Sequence, residues 1–256
     1  MDNHFGDNMN KLPQITLFFW IMKIAATTLG ETAGDLLSMT LKVGYAASSL
    51  ILIAAFLVTL VAQLRSRTYH PLLFWTVILS TSTAGTTMSD FMDRSLGLGY
   101  ATGSSILASL LVIVLLYWKL SEKSLAITDI RSFKGETLYW TAILLSNTLG
   151  TALGDFLADS SGLGFAGGAA LISGTIALIV LAHYFTSISK VGLFWVAFVL
   201  TRPLGATFGD LLTKPTQLGG LDLGTIGAST VLLSILVLTI FYTMRQQRKA
   251  VAESAG

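Results

Sequence analysis

Apolar stretches without charge alternate along the chain with stretches in which polar residues interrupt the apolar ones. Four segments of about 20 residues contain no Asp, Glu, Lys or Arg, namely 45–64, 100–118, 163–182 and 223–244. A helix of about this length crosses the hydrocarbon core of a bilayer. The pattern therefore predicts four plain membrane-spanning helices, one in each quarter of the chain.

A repeated motif precedes each of these apolar segments. A tryptophan is followed ten residues later by glycine, fourteen later by glycine or serine, and fifteen later by aspartate. The four cores read TLGETAGDLL, TAGTTMSDFM, TLGTALGDFL and PLGATFGDLL. The tryptophans are Trp20, Trp75, Trp140 and Trp195. The first and third copies lie 120 residues apart, as do the second and fourth, which indicates two duplicated halves.

Each repeat thus supplies a motif-bearing helix and then a plain helix. We expect the motif-bearing helices at about 12–38, 71–94, 137–159 and 191–213. The predicted fold is an all-α, polytopic membrane protein with eight transmembrane helices arranged as four parallel two-helix repeats. The halves are 1–118 and 137–244, joined by a cytoplasmic linker at 119–136 and followed by a cytoplasmic tail at 245–256. The fourth repeat departs after its aspartate, with TKPTQLGGLDLG, and predicts a differently shaped connection.

Composition agrees with a membrane protein, because 53% of residues are hydrophobic and only 12% are charged. This balance excludes a soluble enzyme or a nucleic-acid binder as a description of the whole chain. No HExxH, GxSxG or phosphate-binding loop occurs, so we expect no enzyme activity and no resident cofactor. The chain has no cysteine, and its three histidines lie away from the motifs, which disfavours a zinc or copper site. Membrane lipid is an expected partner, and a homo-oligomer stays open.

Lysine and arginine are concentrated in the termini and in the loops after the plain helices. Only Lys42, Arg94 and Lys214 lie in the connections within a repeat. The positive-inside rule then places both termini in the cytoplasm. The tryptophans would lie near the cytoplasmic interface, and the motif aspartates roughly 22 Å further along, in the outer half of the membrane. The N-terminal residues lack the basic region of a signal peptide, so we expect the first span to be retained.

Small residues four apart in the motifs predict close packing of the motif-bearing helices. The glycines concerned are Gly30, Gly34, Gly85, Gly150, Gly154, Gly205 and Gly209. Such spacing lets the backbones of two membrane helices approach each other. Four copies in register indicate that these helices contact one another or their neighbours.

A stripe of acidic and hydroxyl side chains runs beside those glycines, because residues four apart share one helix face. The predicted ion-binding residues are Glu31, Asp35, Asp90, Asp155, Asp210, Thr27, Thr86, Thr151 and Asn147. The five carboxylates are the candidate metal ligands, since oxygen ligands suit hard divalent cations. Lys23 and Arg202 either compensate these charges during a gating step or form structural ion pairs with Glu31 or Asp155. The aspartates could alternatively serve only to cap or pack helices.

The repeats resemble a family of bacterial integral membrane proteins of unknown function, built from four tandem two-span repeats. The resemblance rests on the tryptophan and G-x-x-x-[GS]-D pattern and extends over about residues 13–244. It implies a location in the bacterial inner membrane and no particular activity. The segment from Glu31 to Asp35 is also similar to the E-x-G-D signature of calcium and manganese exporters. That signature has its glycine one residue nearer the glutamate and a basic residue after the aspartate, where this chain has Leu36.

These features lead us to expect a secondary transporter or exporter of a divalent metal cation, with manganese or calcium favoured. Proton coupling is expected, because carboxylates at low dielectric exchange protons for metal. The divalent cation bound by the five carboxylates would then be the transported ion itself. Two alternatives stay open: a transporter of an organic cation or small polar solute, and a membrane scaffold or sensor that transports nothing.

Overall fold

The computed structural model describes residues 13–66 and 68–254, with side chains described as far as residue 246. Within those residues the fold is all-helical, with no β-strand. The eight long helices are α1 (Leu17–Asp35), α2 (Tyr45–Arg65), α3 (Pro71–Asp90), α4 (Tyr100–Glu122), α5 (Phe133–Asp155), α6 (Gly164–Phe185), α7 (Lys190–Thr213) and α8 (Thr225–Ser254). The motif-bearing helices are therefore α1, α3, α5 and α7. The N-terminal residues 1–12, on which the expectation of a retained first span partly rests, lie outside the described residues.

The motif aspartate ends the regular α-helix in each of the first three repeats. A five-residue π-helical turn follows it, at Leu36–Thr40, Phe91–Ser95 and Phe156–Ser160. In the second repeat the chain then reverses through Gly97 and Gly99, both at positive φ, which glycine adopts without strain. The fourth repeat has a 3₁₀ turn at Thr216–Leu218 instead of the π-helical turn, as its different sequence predicts.

The four motif-bearing helices form a closed inner ring. Each packs against the next in chain order, and α7 packs against α1 to complete the circle. The plain helices lie outside this ring, and each rests on the motif-bearing helix of the following repeat: α2 on α3, α4 on α5, α6 on α7, and α8 on α1. Neighbouring repeats therefore interlock, and the last repeat interlocks with the first.

Five helices are long and apolar enough to cross a membrane: α2, α4, α6, α7 and the Thr225–Gln246 part of α8. The other three long helices, α1, α3 and α5, are inner helices rich in buried threonine, serine and acidic side chains. Their composition is explained by their place, because polar residues in membrane proteins face the bundle interior rather than lipid. The protein is thus an all-helical protein of membrane type.

The N-terminal ends of the inner helices are joined by a circle of aromatic side chains. The residue before each motif tryptophan is aromatic and packs against the tryptophan of the next inner helix. The ring-centroid distances are 5.7 Å for Phe19–Trp75, 5.7 Å for Phe74–Trp140, 6.3 Å for Tyr139–Trp195 and 5.7 Å for Phe194–Trp20. Three of the tryptophans are buried between helices. We call these eight residues the aromatic layer, and it closes one end of the ring.

The helix bounds differ from the expected ones mainly at the helix starts and at the joint between the halves. α1 begins at Leu17 rather than near residue 12, and α5 begins at Phe133 rather than 137. The connection between the halves is residues 123–132, so both ends of the expected linker at 119–136 are helical. The expected tail from residue 245 continues α8 as far as Ser254.

Candidate functional site

The motif glycines lie where neighbouring inner helices cross. A Cβ added to Gly30 would lie 2.1 Å from Ser82 Oγ, and one on Gly150 would lie 2.2 Å from Arg202 Cγ. The equivalent atoms at Gly85 and Gly205 would lie 2.9 Å and 2.7 Å from the backbone of the next helix. Gly34, Gly154 and Gly209 meet the next inner helix in the same way, one turn further along. The glycines therefore bring the polar faces of the four inner helices together around one axis.

Arg202 lies at the centre of this axis and is fully buried. From α7, its Nη1 donates to the carbonyl of Thr27 at 3.2 Å and to Glu31 Oε2 at 2.9 Å on α1. Its Nη2 donates to the Ser82 carbonyl at 3.2 Å and to Thr86 on α3, and to Thr151 Oγ1 at 2.7 Å on α5. One guanidinium group therefore binds all three of the other inner helices.

Glu31 is the buried counter-charge of Arg202. Its Oε2 also lies 3.2 Å from Thr86 Oγ1 and 3.1 Å from Thr151 Oγ1, both of which are placed to donate to it. Of the two ion-pair partners considered for Arg202, Glu31 is therefore the one that it contacts. Arg202 thus neutralises the charge of the Glu31 carboxylate in a buried setting, where an unpaired charge is costly.

The four motif aspartates surround the axis one turn beyond Glu31 and are joined in two pairs by basic side chains. Lys214 Nζ lies 2.8 Å from Asp35 Oδ2 and 3.0 Å from Asp210 Oδ1. Arg94 lies 2.9 Å from Asp90 Oδ1 through Nε and 3.0 Å from Asp155 Oδ2 through Nη2. All four aspartates are buried, whereas Lys214 and Arg94 reach them from partly exposed positions.

One corner of this layer brings three carboxylates together. Glu31, Asp35 and Asp210 each offer an oxygen, and these three oxygens lie within 4.8 Å of one another. We call these residues the three-acid cluster. Asp90 and Asp155 lie in the opposite corner, where Thr151 stands at the position equivalent to Glu31. The internal symmetry is therefore broken at the acids themselves.

Three of the predicted site residues do not reach the acids. The Thr27 hydroxyl donates to backbone carbonyls, including that of Thr201 at 3.1 Å, and so fixes the α1–α7 contact. Asn147 Nδ2 donates to Thr81 Oγ1 at 2.9 Å. Lys23 forms no ion pair within the described part of the chain, and its ammonium lies 4.2 Å above the Phe198 ring. Neither Glu31 nor Asp155 is its partner.

Two basic residues of the site, Arg94 and Lys214, were not among the predicted ones. Each lies four residues after a motif aspartate, a spacing that places the two side chains on one helix face. That spacing signals the pairs Asp90–Arg94 and Asp210–Lys214. It gives no sign of the second aspartate that each basic side chain binds, because that aspartate belongs to another repeat.

The repeat family described as "Repeat of Unknown Function (DUF347)" matches the chain four times, at residues 18–69, 73–124, 138–189 and 193–249. The chain belongs to this family. The four matched units correspond to the four helix pairs, so the family repeat is one inner helix with its following outer helix. No curated protein and no solved structure matches the chain.

Proposed function

We propose that the protein is a secondary transporter of a divalent metal cation, manganese or calcium, which binds at the three-acid cluster. The observation that carries this proposal is the group of three buried carboxylate oxygens from Glu31, Asp35 and Asp210 within 4.8 Å. Calcium binds oxygen at 2.3–2.6 Å, so ligands on opposite sides of one ion lie up to about 5 Å apart. The three oxygens are therefore close enough together to bind one such ion.

The charge balance of the ring supports the same proposal. Five buried acids, Glu31 and the four motif aspartates, face three ion-paired basic side chains, Arg94, Arg202 and Lys214. When the buried amine of Lys23 is neutral, two carboxylates therefore exceed the basic groups, which matches the charge of one divalent cation. Uncompensated charge at membrane depth is costly and is characteristic of ion pathways.

The position of the cluster in the bundle suits a transport site. The aromatic layer closes the ring at one end, and the acids lie towards the other, where Lys214 is partly exposed. We propose eight membrane spans in a bacterial inner membrane with both termini in the cytoplasm, so the acids open outwards. The inner helices α1, α3 and α5 then cross the membrane shielded from lipid by their neighbours.

The test is cation flux into proteoliposomes, with Ca²⁺, Mn²⁺, Mg²⁺ and Na⁺ offered separately under an imposed pH gradient. We expect flux of Ca²⁺ or Mn²⁺ that Asp35→Asn reduces to the level of empty liposomes. Asp155→Asn is the matched control, because Asp155 is equivalent to Asp35 by the internal repeat but lies opposite the three-acid cluster. Equal loss in both variants would contradict a site in this corner, and absence of flux from folded wild-type protein would refute cation transport.

A scaffold without transport is the second candidate, favoured by the ion pairs that each motif aspartate already makes. In that case no ion crosses the membrane, and Asp35→Asn and Asp155→Asn lower thermal stability equally. An organic cation is less well supported, because the tyrosine rings near the aspartates face a guanidinium group. Arg94 lies 6.0 Å from the Tyr45 ring centroid and 5.7 Å from that of Tyr100.

A further inference from the structure

Lys23 carries a basic group that the proposed cation site does not use. The side chain projects from α1 into the bundle, is fully buried, and lies between the aromatic layer and Arg202. Its Nζ has no hydrogen-bond acceptor within the described residues. The nearest feature is the face of the Phe198 ring, at 4.2 Å from the nitrogen.

The helices packed against α1 offer no carboxylate to this amine. α7 supplies Phe198 and the positive charge of Arg202. α3 carries no acidic or basic residue before Asp90 at its far end, and α8 carries none between 225 and 244. Among the described side chains, the titratable groups of α8 at this end are Tyr242, whose ring packs against Phe18, and the exposed Arg245. Glu31, two turns along α1 itself, is already bound by Arg202.

This setting allows the amine both protonation states. A buried ammonium without an acceptor is unfavourable, and contact with an aromatic face recovers only part of the cost. Lysine loses its proton readily when buried, whereas arginine keeps its charge in proteins. The two basic groups inside this part of the ring therefore differ in kind, one fixed and one able to change its charge.

We propose that the ε-amine of Lys23 is a proton-binding site whose proton is exchanged for the divalent cation. The inference rests on the proposed function, and it names the group that carries the coupled proton. One turn beyond Lys23, the carbonyl of Thr27 accepts from Arg202 Nη1 at 3.2 Å, so the α1 segment and the Arg202–Glu31 pair are joined directly. A proton on Lys23 adds a second positive charge beside this pair.

The exchange accounts for the proton and moves one net positive charge onto the ring, because the cation brings two charges for the one that leaves. With Lys23 protonated, the extra charge opposes a cation at the three-acid cluster; with Lys23 neutral, two carboxylates are left for the cation. Binding of one divalent ion therefore expels one proton from the amine to water, and protonation of the amine expels the ion. Because each ligand disfavours the other, the coupling is reciprocal.

The proton site is tested first without any cation, by NMR of wild-type protein labelled with ¹³C at the lysine ε-carbons. The Lys23 resonance is assigned by its loss in Lys23→Met, or in Lys23→Gln if the first variant does not fold. We expect this resonance to move between its charged and neutral positions within the pH range in which the protein stays folded. A resonance that stays in the charged form while the exposed lysines titrate would overturn the proposal.

The coupling is tested by Ca²⁺ and Mn²⁺ binding to purified protein across the pH range in which the NMR resonance of Lys23 titrates. We expect wild-type affinity to rise by up to about tenfold per pH unit on the acid side of that titration and to level off on its basic side, and Lys23→Met to show less than about a twofold rise per unit. Lys190→Met, at an exposed position, is the matched control and keeps the wild-type slope. An unchanged slope in Lys23→Met would overturn the exchange, whereas wild-type protein that binds neither ion would refute the proposed function and leave the NMR result to decide the proton site.

Discussion

Arg202 and Glu31 form a fully buried ion pair on which the contact of four helices depends. Arg202→Met leaves Glu31 buried without its counter-charge, and removal of one partner of a buried pair costs about 3–5 kcal/mol. We expect this loss in the free energy of unfolding, measured by denaturation in mixed micelles. The exposed Arg131→Met is the control.

The companion variant separates charge from packing. Glu31→Gln in the Arg202→Met background removes the uncompensated carboxylate, so the double variant should be more stable than Arg202→Met alone. Strictly additive losses would show that the two side chains stabilise the ring independently, contrary to the hydrogen bond of 2.9 Å between them.

Lys214 holds a positive charge at two of the three proposed cation ligands, Asp35 and Asp210. A cation that binds there must displace this ammonium, so Lys214→Met should raise the apparent affinity for Ca²⁺ or Mn²⁺ by about tenfold, a free energy of about 1.4 kcal/mol. Lys42→Met, an exposed lysine in the connection between α1 and α2, should leave the affinity unchanged. Isothermal titration measures both, and weaker binding in Lys214→Met would mean that the lysine holds the carboxylates in place.

The acidic stripe could be predicted at the residue level because its members recur at one spacing in four repeats. The identity of each ion pair could not be predicted in this way. Lys214 binds an aspartate 179 positions away, and this contact exists only because the fourth inner helix meets the first. Lys23 shows the same limit, since it shares a helix face with Glu31 but its side chain packs on Phe198 of α7.

At the level of helices, close approach through glycine decides how the ring packs. Gly150→Ala in α5 would place a methyl group 2.2 Å from Arg202 Cγ, so the helices must separate or the arginine must move. Overpacking of this kind typically costs about 1–3 kcal/mol. We expect a matching fall in thermal stability, read by fluorescence of the buried tryptophans.

Gly174→Ala in the outer helix α6 is the matched control, because no atom lies within 4 Å of the added methyl group. Alanine is the better helix former by up to about 1 kcal/mol, so this variant should be neutral or slightly stabilising. Equal destabilisation by both changes would show that helix flexibility, rather than contact with α7, explains the glycine at position 150.

Helix number and type could be predicted from the sequence, since charge-free segments and repeated motifs mark all eight helices. The packing of each outer helix against the inner helix of the following repeat could not be predicted in this way. Periodicity shows that a helix has a small-residue face, but it does not identify the helix that meets it. The aromatic layer was missed for a similar reason, although an aromatic residue before each motif tryptophan was its visible signal.

At the level of the whole molecule, the four repeats give the ring an approximate fourfold symmetry. The distribution of its charged residues lowers this symmetry towards twofold. Arg94 with Asp90 and Asp155 corresponds, after a shift of 120 residues, to Lys214 with Asp210 and Asp35. Glu31 and Arg202 break even this twofold relation, because their counterparts are Thr151 and Ser82. The scaffold is thus symmetric while the proposed cation site occupies a single corner.

Eight membrane spans require that connections within a repeat and connections between repeats lie on opposite sides of the membrane. The chain has no cysteine, so single cysteines at exposed loop positions report this topology without background. The within-repeat positions are Lys42→Cys, Ser95→Cys, Ser161→Cys and Gln217→Cys, and the between-repeat positions are Thr68→Cys, Arg131→Cys and Ser187→Cys. We expect a membrane-impermeant maleimide to label the first set in intact cells and the second set only in inverted vesicles, since the basic loops stay in the cytoplasm. Labelling of within-repeat and between-repeat positions from the same side of the membrane would contradict the parallel arrangement of the repeats. The reverse pattern for both sets would keep that arrangement but overturn the proposed orientation, because it turns the three-acid cluster towards the cytoplasm and the aromatic layer outwards.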